Sequence, residues 1–208
     1  MLKIDKFEIK SIQEVLRNAY FYVGLAVVCI WSLLHFGCGE PFIGAIIFGT
    51  FLLLFSFVDL KHFILPDALM LPSFLLGLIV PPLLMGQSWV NTFAGAFLGF
   101  GLFFLIAWGF FKIRGYHGLG FGDVKFLGML GAWVGATSLP PLILISSFVA
   151  MPVFILRKLI KGTSTASPLP FGPFLAAGGW LMFLYDIPIW RTILQVRASI
   201  IQTILGGS

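Results

Sequence analysis

Charge is scarce in this 208-residue chain: Asp, Glu, Lys and Arg together make up 10% of it, against 59% hydrophobic residues. A water-soluble domain carries far more charge on its surface. Cysteine is scarcer still. Cys29 and Cys38 form no C-x-x-C pair, so thiols can assemble neither a zinc nor a redox site, and Cys29 reads as a small buried hydrophobe. H-E-x-x-H is missing, and His35, His62 and His117 stand far apart, so no metal is expected. Gly-x-Ser-x-Gly is missing as well, which disfavours a serine hydrolase. The one glycine-rich loop lacks the G-K-[ST] ending of a phosphate cradle. No basic stretch is interleaved with aromatics outside the apolar runs, so nucleic-acid binding has no support. Met1 to Arg17 contains neither a signal-peptide core nor a cleavage site. There is no internal repeat.

Long apolar runs dominate what is present. They cover Tyr20 to Phe36, Phe42 to Val58, Ala68 to Met85, Val90 to Phe111, Val124 to Leu139, a sixth ending at Leu156, and a short seventh from Phe171 to Tyr185. A helix crossing the hydrocarbon needs about 20 apolar residues. The fold class expected is therefore all-α, a polytopic transmembrane bundle of about seven spans. Pro140-Pro141 is expected to separate the fifth span from the sixth. With the N-terminus inside, eleven basic residues fall on the inner side and only Arg191 and Arg197 on the outer, as the positive-inside rule requires.

Both termini read as interfacial amphipathic helices, one over Ile4 to Leu16 and one over Ile187 to Leu205. The organisation expected is an inner interfacial segment at 1–19, a transmembrane catalytic domain at 20–186 and an outer tail at 187–208, whose final Gly206-Gly207-Ser208 reads as a cloning remnant.

Against this background two acids stand out. Asp59 closes the second run and Asp123 opens the fifth, both on the inner side. An acid at a helix centre costs roughly 2.5–3.5 kcal/mol on insertion scales, so acids near hydrocarbon usually serve a function. Two carboxylates a few ångströms apart cannot both ionise, so one activates water while the other donates a proton, as amide hydrolysis needs. Gly118, Gly120 and Gly122 clear side chains from around Asp123 and give a substrate backbone room to approach. Asp67 follows Pro66 and reads first as a helix cap. Lys61 and Lys125, each two residues past an aspartate, read first as interfacial anchors, with a second possible role in biasing the carboxylates. His62 and His117 read as interfacial residues.

The stretches Asp59-Leu60-Lys61-His62-Phe63-Ile64-Leu65-Pro66-Asp67 and Gly118-Leu119-Gly120-Phe121-Gly122-Asp123-Val124-Lys125 resemble the prepilin peptidases, bacterial membrane aspartic proteases of the G-x-G-D type. Leu127 to Trp133 and Leu169 to Ala176 are similar too, so the resemblance runs from about Phe42 to Trp180. It implies that Asp59 and Asp123 are the catalytic pair; beside it, the residues themselves make Asp67, Lys61, Lys125, Gly120 and Gly122 candidates for supporting the site or binding substrate. It implies a multi-pass protein of the bacterial inner membrane with its active site at the cytoplasmic face. The partners implied are membrane lipid and the basic leader and hydrophobic N-terminal helix of type IV prepilins or type II secretion pseudopilins.

Many family members carry two C-x-x-C pairs in a cytoplasmic domain and methylate the new N-terminus with S-adenosylmethionine. This sequence has neither pair. No cofactor is therefore expected, and S-adenosylmethionine enters only if methyl transfer is retained. Two other classes fit the composition. A proton-coupled transporter or channel would place its acids deeper and often show repeat symmetry. A non-catalytic assembly scaffold would have no need of an intact pair of aspartates.

Overall fold

The computed structural model describes residues 6–114, 120–161 and 170–185. The expected tail helix from Ile187, together with Gly118 and His117, lies outside them. The described elements are helical throughout: α1 (Lys6–Leu16), α2 (Ala19–Phe36), α3 (Glu40–His62), α4 (Asp67–Leu84), α5 (Trp89–Arg114), α6 (Phe121–Val134), α7 (Leu139–Lys161) and α8 (Gly172–Tyr185), with a single 3-10 turn at Ala136–Ser138.

Local chemistry explains most boundaries. Asn18 caps α2, its side-chain oxygen accepting from the Tyr20 N–H at 3.0 Å, and Gly37 ends the helix at φ 64°. Pro41 sits in the first turn of α3, where its missing N–H costs nothing. Inside the apolar helices, hydroxyls find partners one turn back. Ser32 donates to the Val28 carbonyl, Thr50 to Ile46 and Ser56 to Leu52.

One boundary differs from the sequence reading. The fifth apolar helix does not run to Leu139; it ends at Val134, where Gly135 takes φ 78°. Pro140 and Pro141 fall in the first turn of α7 and open that helix instead of breaking the one before.

All seven apolar helices of the sequence reading are present, and α2, α3, α4, α5 and the segment Ala136–Arg157 are long and apolar enough to cross a membrane. The other two, α6 and α8, have 14 residues each. At 1.5 Å per residue that is about 21 Å, well short of the roughly 30 Å hydrocarbon core. Neighbouring helices make such shortness tolerable. From Val124 to Val134 only Lys125 escapes full burial, so α6 sits among protein rather than lipid.

The tightest seam joins α5 and α6. A Cβ on Gly95 would collide with the Gly131 carbonyl, and one on Gly131 with the Gly95 carbonyl. The pairs Gly95/Gly131 and Gly99/Gly128 therefore bring the two backbones into contact, the small-residue packing that drives helix association in lipid. On its other side α6 presents Trp133, stacked on Phe48 with ring centroids 4.7 Å apart and donating its indole N–H to the Ser73 carbonyl at 2.9 Å. The amphipathic helix expected at the N-terminus is α1, which lays Ser11 and Val15 inward against α3 and α4.

Candidate active site

Asp59 lies in the last turn of α3 and is 6% exposed. The helix stops just beyond it because Phe63 adopts the left-handed conformation, φ 56°, and returns its N–H to the Asp59 carbonyl at 2.9 Å. A non-glycine residue in that region costs about 1–3 kcal/mol, and such strain clusters at functional sites. Asp123 occupies the third position of α6. Gly120 is the N-cap, and its carbonyl accepts the Asp123 N–H at 3.0 Å. A carboxylate in the first turn of a helix faces the positive end of the macrodipole.

Packing beneath the two acids brings them together. Phe55 lies one turn before Asp59 and Phe126 one turn after Asp123, both fully buried, with ring centroids 5.0 Å apart. This contact joins the end of α3 to the start of α6, and Asp123 lies within electrostatic reach of Asp59.

A third element reaches Asp59. The N-terminus of α8 points at Asp59, and the Gly172 N–H donates to Asp59 Oδ2 at 2.9 Å. A Cβ on Gly172 would lie 2.7 Å from that same oxygen, so any side chain there would displace the carboxylate. Gly120 is nearly as close to the other acid, since its Cβ would lie 3.1 Å from Asp123 Oδ2. Gly122 faces Leu65 of the α3–α4 link with ordinary spacing, 3.5 Å from the position of a Cβ.

The remaining site candidates sit around this centre. Asp67 does not cap α4. Pro66 holds the N-cap position, and Asp67 in the first helical position directs its carboxylate to Lys125 Nζ, 2.8 Å from each oxygen. Lys125 is more than an anchor, for its ammonium also lies 5.1 Å from the Phe121 ring centroid. Lys125 is two residue steps past Asp123, roughly 200° of rotation, so the two side chains leave α6 in different directions. Lys61 pairs with Glu14 of α1. His62 meets the Phe7 ring edge-on at 5.5 Å and lies 3.5 Å from Glu14.

Gly172, Glu8 and Glu14 were not singled out from the sequence. Gly172 had a visible signal, since it falls in the Leu169-to-Ala176 stretch. The two glutamates had none, because their partners lie far along the chain. Among the described residues no cluster of His, Cys, Asp and Glu has the makings of a metal site.

A family model described as the type IV leader peptidase family matches residues 46–155, which include both aspartates. The chain is 39% identical over 188 residues to the prepilin leader peptidase/N-methyltransferase of Pseudomonas aeruginosa, covering 89% of this chain and 64% of that protein. It is 38% identical over 160 residues to the protein of the same name from Xanthomonas campestris, covering 77% of this chain and 56% of that one. It is 38% identical over 143 residues to leader peptidase HopD of Escherichia coli, covering 68% of this chain and 91% of HopD. Thus the chain spans only 56% and 64% of the two bifunctional relatives. No solved structure matches it. With its two aspartates on separate helices of a polytopic bundle, and with relatives this similar over most of its length, the chain belongs to the type IV leader peptidase family.

Proposed function

We propose that this protein is a membrane aspartic endopeptidase that removes the short basic leader from type IV prepilins or type II secretion pseudopilins. The observation that carries the reading is the placement of Asp59 and Asp123 at one end of the bundle, within electrostatic reach of each other, on helices joined by the Phe55–Phe126 contact. One ionised carboxylate takes a proton from a water held between them, and the water attacks the scissile carbonyl. The other, protonated, gives its proton to the leaving nitrogen. The Gly172 N–H holds Asp59 Oδ2 in place, which leaves the other carboxylate oxygen for the water. Gly120, whose Cβ would lie 3.1 Å from Asp123 Oδ2, keeps a side chain from crowding that carboxylate.

The basic residues at this end of the bundle support a cytoplasmic-face site in the bacterial inner membrane. There a substrate's hydrophobic helix remains in lipid while its basic leader meets the aspartates. The bifunctional relatives are also named N-methyltransferases. Lys61 and Lys125, the lysines nearest the site, are both engaged by acids, so neither is free to pair with the carboxylate of S-adenosylmethionine.

The test is cleavage of a purified prepilin in detergent, followed by mass. Asp59→Asn and Asp123→Asn should each abolish the mass shift while the protein stays helical and monodisperse. Cleavage retained in both variants would refute the dyad.

A further inference from the structure

The end of α3 and the start of α4 are both gripped by one element outside the catalytic core, the helix α1. Glu8, half-buried on α1, extends its carboxylate across the first turn of α4. Oε1 accepts the Asp67 N–H at 3.2 Å and Oε2 the Ala68 N–H at 3.3 Å. These are two of the four donors that any helix start leaves without an intrahelical partner. Pro66 supplies no side-chain cap, and the Asp67 carboxylate is committed to Lys125. An acid 59 residues earlier in the chain therefore does the capping.

The cap connects directly to the catalytic acids. Fixing the first turn of α4 fixes Asp67, whose carboxylate holds Lys125, and Lys125 stands two residues from Asp123 in the opening turns of α6. The same helix reaches the residues just after Asp59, through Glu14 on Lys61 and Phe7 on His62. Only the short link Phe63 to Pro66 separates those residues from the capped turn. Within that link, Leu65 faces Gly122, next to Asp123.

We propose that Glu8 is a positioning residue for the cleavage reaction. By capping α4 it sets the Asp67–Lys125 pair against α6, and so fixes where Asp123 stands relative to Asp59. The inference rests on the peptidase reading above. A side chain that acts only through placement changes the chemical step more than substrate capture.

The experiment uses the full chain in detergent with a prepilin carrying its basic leader. It compares wild type, Glu8→Ala, Glu8→Gln and, as a control on the exposed side of α1, Lys10→Ala. Kinetics of cleavage are combined with hydrogen exchange of the segment 63–70. Glu8→Ala should lower kcat about ten-fold, the scale of a lost cap, with KM within about two-fold of wild type and exchange of 63–70 accelerated. Glu8→Gln keeps an amide oxygen that accepts one of the two N–H groups and should recover most of the rate, while Lys10→Ala should match wild type. An unchanged kcat in Glu8→Ala would overturn the proposal, and so would equal losses in the Ala and Gln variants. Accelerated exchange with no wild-type cleavage would place the failure in the peptidase reading and take this inference with it. Cleavage by wild type with exchange indifferent to Glu8 would overturn the inference alone.

Discussion

Gly172 and Asp59 come from opposite ends of the catalytic region, 113 residues apart, and are joined by a 2.9 Å hydrogen bond from the glycine N–H to Asp59 Oδ2. The bond's geometry depends on glycine, because a methyl at that Cα would lie 2.7 Å from the oxygen and 3.1 Å from its carbon and the carboxylate would have to move. Gly172→Ala should therefore push the carboxylate off its place without disturbing the packed bundle. A misplacement of about 1 Å costs on the order of 100-fold in rate. Steady-state cleavage should show that loss, with helicity and thermal midpoint near wild type. Full activity in Gly172→Ala would mean that Asp59 does not act from the observed position.

Phe55 and Phe126 carry the contact that sets α3 against α6, and both are wholly buried. Phe126→Ala removes a ring one turn from Asp123 and leaves a cavity under the pair. Such truncations cost about 3–5 kcal/mol in a core that cannot collapse. The expected result is a lower unfolding midpoint together with a loss of cleavage. Phe126→Leu, closer in volume, should restore much of both. If Phe126→Ala lost stability yet cleaved at the wild-type rate, the contact would be structural only.

Much of this was legible in the sequence for a simple reason: in a bilayer, hydropathy and helix are nearly the same signal, since only helices satisfy a chain's own backbone there. The runs beginning at Tyr20, Phe42, Ala68 and Val90 each became a helix within a few residues of the expected ends. Asp59 and Asp123 were visible because an acid is conspicuous in such surroundings. What could not be read was long-range pairing. Asp67 reads locally as a cap, but Glu8 supplies that cap and frees Asp67 for Lys125. The break after the fifth run was misplaced because Gly135, at a positive φ of 78° that glycine adopts readily, ends a helix as effectively as proline does. The two prolines were better suited to starting the next one.

The glycines of α5 divide into two kinds, and substitution should separate them. A Cβ on Gly95 meets the Gly131 carbonyl and the backbone of the turn after α6, none of which can rotate away, whereas one on Gly101 meets nothing within 4 Å. Gly95→Ala should destabilise by about 1–3 kcal/mol through overpacking. Gly101→Ala should be neutral or gain up to about 1 kcal/mol of helix propensity. Thermal unfolding in detergent distinguishes them. Equal behaviour of the two variants would show that α5 and α6 do not pack backbone to backbone.

Glu14 offers a pH test of how α1 is held. Hydrogen bonding to the Lys61 ammonium keeps its carboxyl below the ordinary value of 4.5, with Lys61 and His62 adding favourable charge. A group whose folded value is depressed contributes stability above its unfolded value and loses it as pH falls through the folded one. The midpoint difference between wild type and Glu14→Gln should therefore be present at neutral pH and fade as pH falls below the ordinary value of 4.5. Glu14 is well exposed, with half its side chain in solvent, so the difference should be small and shrink further in high salt. Cleavage at neutral pH should stay within about two-fold of wild type, as expected for a screened surface pair. A difference that grew toward acid pH would reverse the sign and exclude the Lys61 pair as its cause.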